Sequence, residues 1–131
     1  MTVVVDASAV VALLAAKGAI GDWVANTLGG HRLCAPHLLH PEVANTLRRH
    51  VLRGDLSDDA ATLAHGDLVE LPVELWPYEP LADRVWELRS SVTAYDATYV
   101  ALAELLGVPL VTLDLRLARG HALRCTLLTS S

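Results

Sequence analysis

The chain has 131 residues, the length of a single domain, and its 53% hydrophobic and 19% charged residues exclude a disordered chain. Its net charge of −5 argues against a protein that binds nucleic acid by positive charge alone. Only 5% of the residues are aromatic, which disfavours single-strand binding by base stacking.

The cysteines and the N-terminus indicate the cellular compartment. Cys34 and Cys125 are far apart in sequence and form no Cys-x-x-Cys motif, so we expect buried, unpaired thiols in a reducing environment. The N-terminus lacks a basic region, and the apolar run 10–16 is too short to cross a bilayer. We therefore expect a cytoplasmic protein with no membrane segment.

Strands and helices are predicted to alternate along the chain. The β-rich, apolar segment 2–5 is typical of a buried parallel strand, and Ser8 is a candidate cap for the helix that follows. Glycine and proline residues mark the ends of several later elements. The predicted strands are 2–5, 32–35, 71–75, 109–113 and 123–128, and the predicted helices are 9–16, 20–28, 38–53, 57–69, 80–91, 94–106 and 114–119.

This alternation predicts an α/β fold with a parallel β-sheet, in one domain over residues 1–131. In sheets of this kind, ligands bind beyond the carboxyl ends of the strands, where the strand order reverses. Residues that directly follow the strands are therefore the first candidates for chemistry.

Four carboxylates occupy such positions or lie at the starts of helices. Asp6 follows the first strand and Asp114 the fourth, while Glu42 and Asp96 fall in the first turns of two helices. Each also has a structural interpretation: Asp114 as a helix cap, Asp96 in a capping box with Thr93, and Glu42 as an acid that favours a helix N-terminus. Asp6 is the hardest to explain structurally, because three valines place it at the end of a buried strand.

Convergence of these four acids would require a cation. Two carboxylates about 4 Å apart repel by roughly 4 kcal/mol at an effective dielectric constant of about 20. A site made of oxygen ligands favours Mg²⁺ or Mn²⁺ over zinc. Such an ion lowers the pKa of a bound water and holds phosphate oxygens, which is the arrangement for phosphodiester hydrolysis.

Four segments of the chain resemble the motifs of the PIN-domain family, and they occur in the family's order. They are VVVDASAVVALL (3–14), HPEVANTLRR (40–49), AYDATYVALAE (94–104) and PLVTLDLRL (109–117). The length of the chain is similar to that of the VapC-type toxin branch of this family.

The resemblance implies a three-layer α/β/α sandwich with a central parallel sheet. It also implies a metal-dependent endoribonuclease toxin that hydrolyses RNA, is neutralised by a VapB-type antitoxin and usually forms a homodimer. Its catalytic residues and its ligands for Mg²⁺ or Mn²⁺ would be Asp6, Glu42, Asp96 and Asp114. Ser8 and Thr112 match positions of supporting hydroxyls. Some family members carry a further acid soon after the last one, but residues 115–117 offer none, which argues against a fully occupied second metal site.

Arginines close to these acids are candidates for contacts with RNA phosphates. Arg49 lies two helical turns after Glu42 and so shares its face, Arg48 is its neighbour, and Arg116 follows Asp114 closely. The alternative for Arg48 and Arg49 is a solvated basic stripe that stabilises the end of their helix.

Other functions fit the sequence less well. A PIN-like module without catalysis, which binds a partner and helps it bind operator DNA, is the main alternative, but the intact acids argue against it. A phosphoacceptor receiver domain would need a lysine near its last strands, and the only lysine is Lys17. Zinc at His37 and His40 does not fit a known ligand spacing. The tryptophans are interpreted as packing or interface residues, not base-stacking platforms: Trp23, Trp76 and Trp86.

Overall fold

The computed structural model describes residues 1–119 and 122–130. Its strands are β1 (Thr2–Val5), β2 (Arg32–Pro36), β3 (Val73–Trp76), β4 (Leu110–Val111) and β5 (Leu127–Leu128). Its α-helices are α1 (Ala7–Ala15), α2 (Ala19–Leu28), α3 (Leu39–Leu52), α4 (Asp58–Glu70), α5 (Ala82–Glu87) and α6 (Ala94–Leu106). Short 3-10 helices cover Glu79–Leu81 and Leu117–Arg119.

The strands form one parallel sheet in the order β3-β2-β1-β4-β5. β1 is central: Val4 pairs with Cys34 of β2 on one side and with Leu110 of β4 on the other. Its valines are almost completely buried, as expected for a strand covered on both faces. The chain runs outward from β1 through β2 to β3 and then crosses to β4, so the order reverses between β1 and β4. A ligand crevice is expected at the carboxyl ends of these two strands.

Helices cover the sheet in two groups. α1 packs against α2, α3 and α4, whereas α6 packs on β1, β2 and β4 with α5 beside it. Residues 97–103 of α6 are all buried, which is typical of a helix enclosed by the core. The arrangement is the predicted three-layer α/β/α sandwich.

The start of α1 and the end of α5 differ from the sequence prediction. Asp6, not Ser8, caps α1, because its Oδ1 accepts a hydrogen bond from the Ala9 N–H at 3.0 Å. The helix predicted over 80–91 is a 3-10 turn followed by α5, which ends at Glu87. Ser90 and Ser91 lie in the turns that follow, in keeping with the competition of serine side chains for helical backbone groups.

β4 is also shorter than predicted, and the reason lies in two hydroxyl groups. Ser8 Oγ accepts the Leu113 N–H and Thr112 Oγ1 accepts the Asp114 N–H, both at 2.9 Å. These backbone groups would otherwise be free to extend the pairing of β4 with its neighbours. The segment therefore leaves the sheet immediately after Thr112.

Both cysteines are unpaired; Cys34 is buried and Cys125 is partly buried. Within 1–119 and 122–130, no single helix is long and apolar enough to span a bilayer. Only together do α1 and α2 reach that length and apolar composition, and the pair is bent by 114°.

Candidate active site

Asp6 lies at the carboxyl end of β1, where the strand order reverses, and is only 7% exposed. Ser8 donates a hydrogen bond to its Oδ1 at 2.6 Å, and Ala9 N–H donates to the same oxygen. Thr112 donates to Oδ2. Burial raises the pKa of the Asp6 carboxyl, and these three hydrogen bonds act in the opposite direction. Both carboxylate oxygens are thus held in one orientation.

Ser8 and Thr112 connect the two strand ends that form the crevice. Each hydroxyl binds Asp6 and also accepts a backbone N–H from the segment after β4. Thr112 is fully buried. The two hydroxyls therefore fix the position of Asp6 relative to the segment that carries Asp114.

Glu42 reaches the same region from the first turn of α3. Its Oε1 accepts a hydrogen bond from the phenol of Tyr99, which is 2% exposed. Burial is the main reason why the pKa of the Glu42 carboxyl is raised, and the charges of Asp96 and Asp6 raise it further. Tyr99 and Arg49 act in the opposite direction.

Asp96 lies half-buried in the first turn of α6. Its backbone N–H donates to Thr93 Oγ1 at 3.1 Å, so Thr93 caps the helix. Burial raises the pKa of the Asp96 carboxyl, and the charge of Asp114 adds to the effect, whereas Arg116 reduces it. The charge of Asp96 in turn raises the pKa values of Asp6 and Glu42, as expected for acids in one region.

Asp114 differs from the other acids because an arginine neutralises it. Arg116 donates from Nε to Oδ1 at 3.0 Å and from Nη2 to Oδ2 at 2.8 Å, a two-point contact, and its backbone N–H also donates to Oδ1. This contact holds the pKa of the Asp114 carboxyl below its usual range. The Arg116 side chain is 82% exposed and can move away without leaving a buried cavity.

The donor chemistry of the site fits a divalent cation. Asp6, Glu42 and Asp96 supply oxygen ligands. Burial is the main cause of their raised pKa values and the charge of at least one neighbouring acid adds to each, so a positive charge would stabilise their ionised forms. In the part of the chain that the structure describes, no three acidic, histidine or cysteine side chains are placed to coordinate one ion together. Hydrogen bonds and an ion pair occupy Glu42 and Asp114 instead.

The arginines predicted to contact RNA lie in different places. Arg49 is close enough to lower the pKa of Glu42, and it donates to Thr46 at 3.2 Å. Arg48 lines a groove between α3 and α4 that none of the four candidate acids lines. Arg116 lies at the edge of the site on Asp114.

Comparison with known proteins supports the assignment of the fold. A family model for the PIN domain matches residues 3–122. Ribonuclease VapC1 of Mycobacterium tuberculosis is 46% identical over 123 residues, which cover 93% of this chain and 92% of that protein. This chain belongs to the VapC ribonucleases of the PIN-domain family. Ribonuclease VapC12 of the same organism is 43% identical over 119 residues, covering 91% of this chain and 92% of that relative.

Solved structures of similar proteins have the same fold as this VapC-family chain. PAE2754 from Pyrobaculum aerophilum is 26% identical, with a TM-score of 0.70, and the match covers 97% of this chain and 83% of that one. VapC20 of Mycobacterium tuberculosis, titled a sarcin-ricin loop cleaving toxin, is 19% identical with a TM-score of 0.68, covering 91% and 95%. The predicted α/β/α fold is confirmed.

One residue of this VapC-family site was not identified from the sequence. Tyr99 contacts Glu42, although its place in the third motif predicted no role for it. A signal was available, because Tyr99 follows Asp96 by three positions and therefore lies on the same side of α6. Its long separation from Glu42 in the sequence concealed the contact.

Proposed function

We propose that this chain is the toxin of a type II toxin–antitoxin pair, an endoribonuclease that hydrolyses RNA phosphodiester bonds and depends on Mg²⁺ or Mn²⁺. A VapB-type antitoxin neutralises it. One observation carries the proposal: in this VapC-family chain, Asp6 is buried at the switch point of the sheet and both of its carboxylate oxygens are held by hydrogen bonds.

The roles proposed for the acids follow from their surroundings. Asp6, buried and held by three hydrogen bonds, is suited to fixing an ion in position. Glu42 and Asp96 are less buried and have raised pKa values, so they are the candidates for accepting a proton from the attacking water. Asp114 joins the ligand set when Arg116 moves away from it.

A bound divalent ion supplies a water of lowered pKa and positive charge for the phosphate oxygens. Arg49 and Arg116 lie at the edge of the acids and are proposed to contact RNA phosphates beside the cleaved bond. Arg48 is not proposed to contact the RNA, because it lines the groove between α3 and α4, which none of the four acids lines.

The antitoxin is proposed to use this groove between α3 and α4. The groove has a volume of about 420 Å³, and apolar residues such as Leu47 and Val51 line much of it. Leu52, at its edge, is 69% exposed. An amphipathic helix would bury these side chains, and a basic side chain from the same partner would neutralise the acids.

The remaining features of the proposal concern assembly. We propose that residues 1–131 form one PIN domain, which acts in the cytoplasm, where its RNA substrate is found. A homodimer is proposed on the family resemblance.

Expression in bacterial cells tests the toxin assignment. The parent chain is expected to degrade RNA and stop growth, whereas Asp6→Asn, which keeps the size of the side chain but removes its charge, is expected to do neither. Co-expression of a small DNA-binding protein encoded directly upstream of the gene is expected to restore growth. Normal growth and intact RNA on expression of folded parent protein would contradict the proposal.

A further inference from the structure

A polar pocket, distinct from the groove between α3 and α4, adjoins the acids on the side of α6. Its volume is about 410 Å³, and it lies where the turn after α5 meets the first turn of α6 and the segment after β4. Its polar lining consists of Arg89, Ser90, Ser91, Thr93, Asp96 and Arg116. The pocket thus offers two guanidinium groups and three hydroxyls. Groups of both kinds bind phosphate in proteins. Asp96 belongs both to this pocket and to the candidate active site.

Arg89 is held in place by the neighbouring tryptophan. Its guanidinium carbon lies 4.6 Å from the centre of the Trp86 ring, and its Nη1 donates to the Trp86 backbone oxygen at 2.7 Å. Stacking uses the face of the guanidinium and leaves N–H groups at its edges free for another acceptor. Of the two roles predicted for Trp86, packing and interface, core packing does not apply, since the residue is 67% exposed and its ring supports an arginine.

Arg89 also differs from Arg116 in its charge balance. Arg116 is engaged with Asp114 through two hydrogen bonds, whereas among the described residues no carboxylate lies within 4.0 Å of the Arg89 guanidinium. Arg89 is therefore a positive charge without an acidic partner in the described part of the chain, next to an acidic site that is proposed to receive a polyanion.

We propose that this pocket, with Arg89 as its principal donor, binds the phosphate group next to the cleaved bond in the RNA substrate. The inference rests on the proposed ribonuclease function and adds a subsite to it. Arg89 forms charge-assisted hydrogen bonds with the phosphate oxygens, and the hydroxyls of Ser90 and Ser91 complete the contact. Because phosphates carry no sequence information, the subsite positions the strand without selecting bases.

Binding of fluorescent single-stranded RNA measures this contact separately from cleavage. Binding is followed by anisotropy in Mg²⁺, in the Asp6→Asn background, over a range of salt concentrations and with two RNAs of different sequence. Arg89→Ala is expected to weaken binding about tenfold for both RNAs and to reduce the salt slope by about 0.7, the value for one phosphate contact on a single strand. Arg89→Lys is expected to keep the slope and lose part of the affinity.

The matched control is Arg32→Ala, which removes the same charge at the opposite end of the sheet, from an exposed pair with Glu74. It is expected to leave both affinity and slope unchanged. In the otherwise unaltered chain, Arg89→Ala is expected to raise KM for RNA more than it lowers kcat.

The outcomes separate the subsite from the proposed function. If the parent cleaves RNA and Arg89→Ala binds like Arg32→Ala, the subsite is wrong and the ribonuclease function stands. The subsite is also overturned if Arg89→Ala weakens binding to only one of the two RNA sequences. A changed oligomeric state of Arg89→Ala in size-exclusion chromatography overturns it as well. If the folded parent neither binds nor cleaves RNA, the proposed function fails and the subsite fails with it.

Discussion

The phenol of Tyr99 donates a hydrogen bond to Oε1 of Glu42 at 2.5 Å, although 57 positions separate the two residues. Burial raises the pKa of Tyr99 far above its usual value, and the bond to Glu42 adds to the effect, so the phenol stays protonated and remains a donor. The contact joins α6 to α3 beside the acids. It fixes the orientation of a carboxylate that would otherwise rotate freely in the first turn of its helix.

Tyr99→Phe tests the importance of this orientation. The change removes the hydroxyl but keeps the ring, so we expect the free energy of unfolding to fall by only about 1 kcal/mol. RNA cleavage is expected to fall about tenfold, because Glu42 loses the donor that stabilises its charged form. Steady-state kinetics and thermal melting measure the two effects. Tyr95→Phe is the matched control, since Tyr95 is on the same helix but 63% exposed; equal cleavage by both variants would contradict the assignment.

Thr112→Val should damage the site more severely. Valine has nearly the shape of threonine, but it leaves Asp6 Oδ2 without its donor and the Asp114 N–H without its acceptor. Thr112 is fully buried, so we expect a loss of about 1–3 kcal/mol in the free energy of unfolding. Denaturant titration measures it. The control is Thr62→Val, at an exposed threonine of α4. If Thr112→Val lowers the free energy of unfolding by less than this control does, the Thr112 hydroxyl is dispensable.

The ion pair between Arg84 and Glu104 gives a pH dependence of stability outside the active site. Arg84 Nε donates to Glu104 Oε1 at 2.6 Å, and Glu104 is 12% exposed. Burial opposes ionisation of Glu104, but the hydrogen bonds from Arg84 and from the Arg124 N–H outweigh it and lower its pKa. A lowered folded-state pKa stabilises the protein above the unfolded-state pKa, and this stabilisation is lost as the pH falls through the folded-state value.

Glu104→Gln is therefore expected to lower the free energy of unfolding by about 2 kcal/mol at pH 7, and the difference from the parent should shrink as the pH falls below about 4. Urea titrations at several pH values measure it. Glu87→Gln, which alters an exposed partner of the same arginine, should change stability by less than about 0.5 kcal/mol. A difference for Glu104→Gln that is constant with pH would contradict the ion-pair explanation.

Asp96→Asn connects stability with metal binding. In EDTA the free energy of unfolding of the variant is expected to exceed that of the parent by about 1 kcal/mol, because the charge of Asp96 opposes those of Asp6 and Glu42. This difference raises the melting temperature by roughly 4 °C. The cap of α6 is retained, since Thr93 Oγ1 accepts the backbone N–H of residue 96, which asparagine also supplies.

In a tenfold excess of Mg²⁺ over its dissociation constant, the parent should gain about 1.4 kcal/mol and the variant much less. Calorimetry with EDTA and with Mg²⁺ measures both effects. A destabilised variant with the same Mg²⁺ response as the parent would place Asp96 outside the metal site.

The sequence predicted the strands and helices whose ends depend on local chemistry. The limits of α6 match the prediction, because Thr93 caps its start and Gly107, with φ of 67°, ends it in a left-handed conformation. The ends of β4 could not be predicted in this way. They depend on Ser8, whose hydroxyl is brought to the Leu113 N–H only by the folded sheet.

The same distinction applies to the candidate site. The motifs predicted its acids, and two of them, Asp6 and Asp114, follow parallel strands whose carboxyl ends share one edge of the sheet. Local patterns did not reveal which acids are already engaged: Arg116 neutralises Asp114, and Tyr99 binds Glu42. Arg89 was missed for a similar reason, since its relation to Asp96 depends on how the turn after α5 folds back.

Cleavage of RNA by the purified protein, with Mg²⁺ or Mn²⁺ and with EDTA, tests the central claim most directly. The matched variants are Asp6→Asn, which alters the buried acid at the end of β1, and Asp67→Asn, which removes the same charge from an exposed position on α4. Cleavage is expected from the parent and from Asp67→Asn with either ion, and from neither protein in EDTA, while folded Asp6→Asn should be inactive under all conditions. Undiminished cleavage by Asp6→Asn, or by the parent in EDTA, would contradict a metal-dependent ribonuclease site built on this residue.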